Sequence, residues 1–196
     1  MAHLRPLTYE EVNADLQAVH DHYTRTRGFM PNSIMTMARR PNISKTFAAL
    51  NQAVLYEGTV PTETKMLVSL ASSLAAGCTY CQSHMTNLSS IYDAPDDKIA
   101  AIWEFESSSL FSDAERAAIR LALKAGTVPN DASQEDFDDL AKYFDEGQIV
   151  EIVASIALFG YLNRWNDTMA TELEELPTQV AEKIVGEAGW NVGKHQ

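Results

Sequence analysis

The chain has 196 residues, 45% of them hydrophobic and 21% charged, so it is long enough to bury a sizeable core and lacks the composition that keeps chains disordered. A formal charge of -12 and a pI near 4.7 exclude nucleic acid or an anionic membrane surface as the main partner, because both are bound through lysine and arginine. The opening residues MAHLRPLTYE carry no apolar run behind their charges, so the expected compartment is the cytoplasm and the expected organisation one domain over 1–196.

The apolar spacing is helical almost throughout. Thr8 and Glu11 make a capping-box signal, and Val12, Leu16, Val19 and Tyr23 follow at three- and four-residue steps, which predicts a first helix over 9–26. Pro31 opens a short helix through Arg39, and ISKTFAALNQAVLYEG is the next, stopped by Gly58. From Pro61, the residues Met66, Leu67, Leu70, Ala71 and Leu74 give one apolar face to a helix that ends at Gly77. A new helix is predicted over 79–92, with Cys78 in the preceding turn and Cys81 to His84 in its first turns.

After Pro95 comes a short helix with Ile99, Ile102 and Trp103, and the pair Ser112 and Glu115 caps another through Lys124. Ser133 caps an acidic helix, and IVEIVASIALFGYL is apolar nearly all round, which predicts a central buried helix; it is too short, and carries Glu151, to be a membrane span. A final helix follows Pro177, and the tail 190–196 is expected to be loose. No sustained strand-type alternation, repeat or linker interrupts this pattern, so the predicted fold is an all-α bundle of about eight helices.

The stretch GCTYCQSHMT carries the chemistry, within the segment 61–92. Two cysteines so close together close only a short loop, which stabilises a fold little and points to redox or metal chemistry. A thiol at a helix start meets unpaired N–H groups and the positive dipole end, which is expected to favour the thiolate of Cys81. His84 lies three residues on, a rotation of about 300°, and so shares a helix face with Cys81 and can take up or return its proton. Cys78, one turn earlier, is in reach to resolve an oxidised Cys81 by forming the internal disulfide. Zinc is the competing reading, but a closed site needs four protein ligands and Cys78, Cys81 and His84 supply three. His20 and His22 point to nearly opposite sides of a helix, so at most one could complete it.

LVSLASSLAAGCTYCQSH resembles the hallmark of the AhpD-like, or carboxymuconolactone decarboxylase, superfamily, an apolar helix ending in CxxC and followed by histidine. FSDAERAAIRLALKAGTVPNDAS and IVEIVASIALFGYLNRWNDTMATELE are similar to the later helices of its peroxidase-related branch, so that the likeness spans most of residues 40–176. The resemblance implies a thiol-dependent alkylhydroperoxidase that needs no metal or organic cofactor. It reduces a small peroxide or disulfide, is restored by an external dithiol, and assembles as a homo-oligomer, a trimer or hexamer. It also implies that Cys81 passes through sulfenic acid while Cys78 donates a proton and resolves it.

Two positions depart from that pattern. His84 comes three residues after the second cysteine, where AhpD proper has four, and the glutamate that AhpD proper carries twelve residues before the first cysteine falls on Met66. Glu63 and Glu151 are the candidates to replace it, Glu151 because burial in an apolar helix would raise its pKa into the range for proton transfer. Asn163, Arg164 and Asn166 resemble the family's NR element, in which Arg164 is expected to pair with a carboxylate such as Glu151 or with a subunit neighbour. The other readings are a carboxymuconolactone decarboxylase-type lyase, whose branch does not depend on a CxxC pair, and a non-enzymatic helical module with structural or zinc-bound cysteines.

Overall fold

In the computed structural model, which describes residues 2–196, the regular elements are all helical: α1 (Ala14–Arg27), α2 (Asn32–Met37), α3 (Pro41–Tyr56), α4 (Thr62–Ala76), α5 (Thr79–Ile91), α6 (Asp96–Ala100), α7 (Asp113–Ala125), α8 (Gln134–Leu140), α9 (Glu146–Met169) and α10 (Glu175–Val185). Short 3-10 turns cover Tyr9–Glu11 and Ala101–Glu104. The all-α bundle is the expected architecture, with ten α-helices among the described residues instead of about eight; α2 and α6 are the shortest, at six and five residues.

The predicted helix over 9–26 is two elements. The capping box of Thr8 and Glu11 closes only the 3-10 turn, and Asn13 restarts the chain by accepting the Leu16 N–H at 3.0 Å. Asn13 is a second, competing N-cap, and the extended backbone that a cap requires breaks the helix there.

α4 is the hub: every residue from Thr64 to Ser73 is buried, and it packs against α5, α7 and α9, with α3 on a further side. A helix so enclosed needs its polar side chains satisfied, and Ser69 and Ser73 donate to the carbonyls of Lys65 and Ser69 at 2.7 and 2.8 Å. Lys65 is buried as well. Its ammonium pairs with Glu151 on α9 at 2.8 Å and donates to the carbonyl of Val54 at 3.0 Å and to that of Glu57. Glu151 also accepts the N–H groups of Thr59 and Val60 at 2.9 and 3.0 Å, so one carboxylate ties α3, α4 and α9 together.

α9 is longer than the apolar run that announced it, and it is not buried all round. Val150, Val153 and Tyr161 are exposed on it, at 67%, 38% and 42%, and Ile43 and Leu50 are exposed on neighbouring α3. α9 ends at Ala170, whose left-handed backbone (φ 47°) turns the chain back so that Thr171, Leu173 and Glu174 run past the start of α5. No helix among the described residues is long and apolar enough to cross a membrane.

Candidate active site

Gly77 terminates α4 in the left-handed conformation (φ 72°), which a side chain would oppose, and its N–H and that of Cys78 bond back to Leu74 and Ser73. This reversal makes Cys78 the N-cap of α5 and puts Cys81 in its first turn. The two Sγ atoms lie 3.5 Å apart as free thiols, close enough for one sulfur to donate a hydrogen to the other. Both are buried, at 0% and 2% exposure, deeper than a thiol pair at an open helix mouth. Cys81, with His84, Arg27, Phe159, Leu162 and Asn166, lines a pocket of about 50 Å³, and Cys78 lies behind it.

The charge within the pair is the reverse of the expected one. The Cys81 thiol donates to Cys78 and, against the cost of burial and with help from His195, holds the Cys78 thiol down at about 6. Burial, and then the neighbouring Cys78 sulfur, push Cys81 well above the ordinary thiol range, while Asn166 works the other way by donating to its sulfur at 3.4 Å. The Cys81 thiol, His195 and the Cys81 backbone N–H all favour the anion at the cap residue, so the acidic member of the pair is Cys78 and not Cys81 one turn inside.

His84 lines the same pocket as Cys81, in keeping with a shared helix face. Its Nε2 lies 2.6 Å from the Glu174 carboxylate, and its ring stacks on Tyr80 at 4.3 Å and meets Phe29 edge-on. Glu174 also accepts from the Tyr80 hydroxyl at 2.9 Å and from the Asn32 N–H. Burial would raise this carboxyl, but the charge and hydrogen bond of His84 bring it below the ordinary carboxylate range. Tyr80 is thus fully engaged away from the sulfurs.

Neither proposed substitute for the family glutamate reaches this site. Glu63 pairs with Lys98 at 2.7 Å near the start of α4, and Met66 is fully buried core. Glu151 is held down at about 2, not raised: the desolvation that would lift it is outweighed by Lys65 and the two backbone N–H groups. Its partner is Lys65, not Arg164, which is exposed. The carboxylate that does meet the histidine, Glu174, comes from the segment after α9, ninety residues away in sequence.

The tail 190–196, expected to be loose, is docked. Trp190 donates its indole N–H to the Thr79 carbonyl at 3.1 Å, Leu173 donates to the His195 carbonyl at 2.9 Å, and Lys194 pairs with Asp167 at 2.7 Å. His195 is 1% exposed beside Cys78. Among the described residues, the metal-type donors that converge are therefore Cys78, Asp167 and His195, whose ligand atoms lie within 4.8 Å of one another, and not the set of Cys78, Cys81 and His84.

The sequence model of the carboxymuconolactone decarboxylase family matches residues 41–124. The chain is 29% identical over 105 residues to the uncharacterized protein YnjA of Escherichia coli (strain K12), an alignment that covers 54% of this chain and spans only 58% of that relative. It is 35% identical to the debrominase Bmp8, with a TM-score of 0.85 over 92% of this chain and 96% of the other. A cysteine-to-alanine variant of that debrominase, crystallised with 2,3,4-tribromopyrrole, is 34% identical with the same TM-score and coverage. A peroxidase-related protein from Ralstonia eutropha JMP134 with an alkylhydroperoxidase AhpD core shares the fold, with a TM-score of 0.81 at 21% identity, over 90% of this chain and 94% of that one. The chain thus has the AhpD-like helical fold, and the part of it that holds the CxxC turn matches the carboxymuconolactone decarboxylase family.

Proposed function

We propose that this protein is a thiol-dependent oxidoreductase that reduces a small peroxide, oxidising Cys78 and Cys81 to a disulfide that an external dithiol reopens. The observation that carries this reading is the 3.5 Å approach of two free sulfurs of opposite character, an acidic Cys78 behind and a pocket-facing Cys81 in front. Cys81 is the sulfur a substrate reaches. It passes its proton to Cys78 and attacks the terminal peroxide oxygen, the O–O bond breaks, and the alkoxide leaves as alcohol with a proton from His84. Cys78 then attacks the Cys81 sulfenic acid, and hydroxide departs with the proton that Cys78 had taken, as water. Glu174 holds the His84 ring in place for this step.

A second reading is favoured by the likeness to the debrominase: the same pair would replace carbon-bound bromine by hydrogen on a small ring, yielding bromide and the same disulfide. The pocket over Cys81, walled by Phe159, Leu162 and Arg27, suits a small ring as well as a peroxide. Lactone decarboxylation finds no support in the sulfurs. The exposed apolar residues of α3 and α9 support assembly into a homo-oligomer.

The test is thiol titration with mass spectrometry after a pulse of hydrogen peroxide, an organic hydroperoxide or a brominated pyrrole. Loss of two thiols per chain with formation of the Cys78–Cys81 disulfide, abolished in Cys81→Ser, is the expected result. Two titratable thiols after every pulse would refute the redox reading, and preference among the three oxidants decides between its forms.

A further inference from the structure

We infer that the tail 190–196 belongs to the active site, and that its His195 is a positioning residue that holds Cys78 as the anionic member of the thiol pair. This rests on the dithiol reading above and adds to it a residue from the far end of the sequence.

The tail is fastened at several independent points around the first turn of α5. Besides the bonds of Trp190, Leu173 and Lys194, the Thr79 hydroxyl donates to the Val192 carbonyl at 3.4 Å. Its histidine is the only tail residue driven to full burial, and a buried imidazole needs partners on both nitrogens. Nδ1 lies 2.8 Å from the Thr171 carbonyl, which can only accept, so Nδ1 carries a hydrogen. Nε2 has no conventional hydrogen-bond partner and faces the Cys78 sulfur and the Asp167 carboxylate, the latter at 3.8 Å.

Both of those groups are acceptors when ionised. A bare lone pair at Nε2 could at most take the Cys78 S–H and leaves Asp167 without a donor, whereas an N–H there can donate to both. The titratable groups facing Cys78 are then Cys81 on its own helix, Asp167 on α9 with Lys194 paired to it, and His195 itself. The His84–Glu174 pair belongs to the other flank, where the Tyr80 ring touches both imidazoles, 4.3 Å from His84 and 5.7 Å from His195. Two histidines therefore have separate duties: His84 serves the leaving oxygen in the pocket, and His195 keeps the rear sulfur ready to take the proton of Cys81.

The test titrates the ultraviolet absorbance of the Cys78 thiolate in Cys81→Ser protein, where the serine hydroxyl still donates to it. Adding His195→Ala should move the midpoint upward by about one to two pH units, the worth of one hydrogen bond to a charged group. His195→Gln, whose amide N–H can still donate, should move it less than alanine does. Hydrogen exchange of the Leu173 amide, which bonds the backbone of residue 195, reports whether the tail stays docked; if alanine undocks it, the glutamine variant alone decides. An unchanged midpoint with the tail in place overturns the inference. So does stoichiometric zinc in the purified protein that is lost with His195, since the imidazole would then be a metal ligand. No peroxide enters this titration, so a protein inert to every oxidant but with a His195-dependent thiolate would refute the proposed function and leave the tail's role standing.

Discussion

Glu151→Gln separates a structural carboxylate from a catalytic one. Glutamine keeps the size of the side chain and one acceptor oxygen but removes the charge opposite Lys65, which stays buried at 1% exposure with only neutral oxygens, that of the glutamine and the carbonyls of Val54 and Glu57, to receive its hydrogens. Breaking a buried ion pair from one side costs about 3–5 kcal/mol. The carboxyl gives a second route to the magnitude: its descent from 4.5 to about 2 on folding corresponds to about 3 kcal/mol. Because the folded value is the lower one, this stabilisation is fully present above 4.5 and fades as the pH falls toward 2. Urea unfolding at neutral pH should therefore show the variant weaker by about 3 kcal/mol, or about 10 °C lower in Tm, with the gap roughly halved near pH 3 and closing toward pH 2. The folded variant should still lose both thiols to peroxide at the wild-type rate. Equal stability at neutral pH, or a folded variant slowed by more than tenfold, would refute the assignment and return Glu151 to the list of proton carriers.

Gly58→Ala attacks the same junction from the other side: at φ 91° a Cβ would stand 2.4 Å from the Glu151 carboxylate, so unfolding by urea should show a loss of at least about 2 kcal/mol. His84→Gln should slow peroxide-driven thiol loss by about 100-fold in stopped flow while leaving the Cys78 thiolate titration in place, since the imidazole acts on the leaving oxygen. Asn166→Ala removes the donor to the Cys81 sulfur and should cost about 10- to 100-fold in the rate of attack, with the Cys78 midpoint little changed. In wild type, the rate of thiol oxidation should rise with pH through about 6 and level off above it, because Cys78 must be deprotonated to accept the proton of Cys81.

What was legible in the sequence is what local chemistry decides. The helix that ends at Gly77, the cap that follows and the helix beginning at Thr79 come from residues within a few positions of one another, and α4 and α5 fall within a residue or so of the predicted limits. The phase of His84 on Cys81 is equally local. Local signals mislead where two of them compete, as at Thr8 and Asn13, and where an apolar run does not mean burial: Val150 and Val153 lie on an outer face of α9 that the isolated chain leaves open.

The partners that give the site its charges were out of reach for a different reason. Glu174 and His195 lie ninety or more residues from the motif, in segments whose composition, TELEEL and GWNVGKHQ, signals only a helix start and a tail. A carboxylate near a helix start has a sufficient local explanation in the dipole, and nothing in its neighbours says that it also meets an imidazole. The missing family glutamate at Met66 shows how this matters. Met66 is buried core on α4, and on the proposed function the carboxylate that steadies the histidine comes instead from after α9, as Glu174. His84, one position earlier on α5 than the histidine of AhpD proper, thus finds its carboxylate on a different element of the bundle from Met66, and no spacing within the motif could announce a partner that only the return of the chain after α9 brings near.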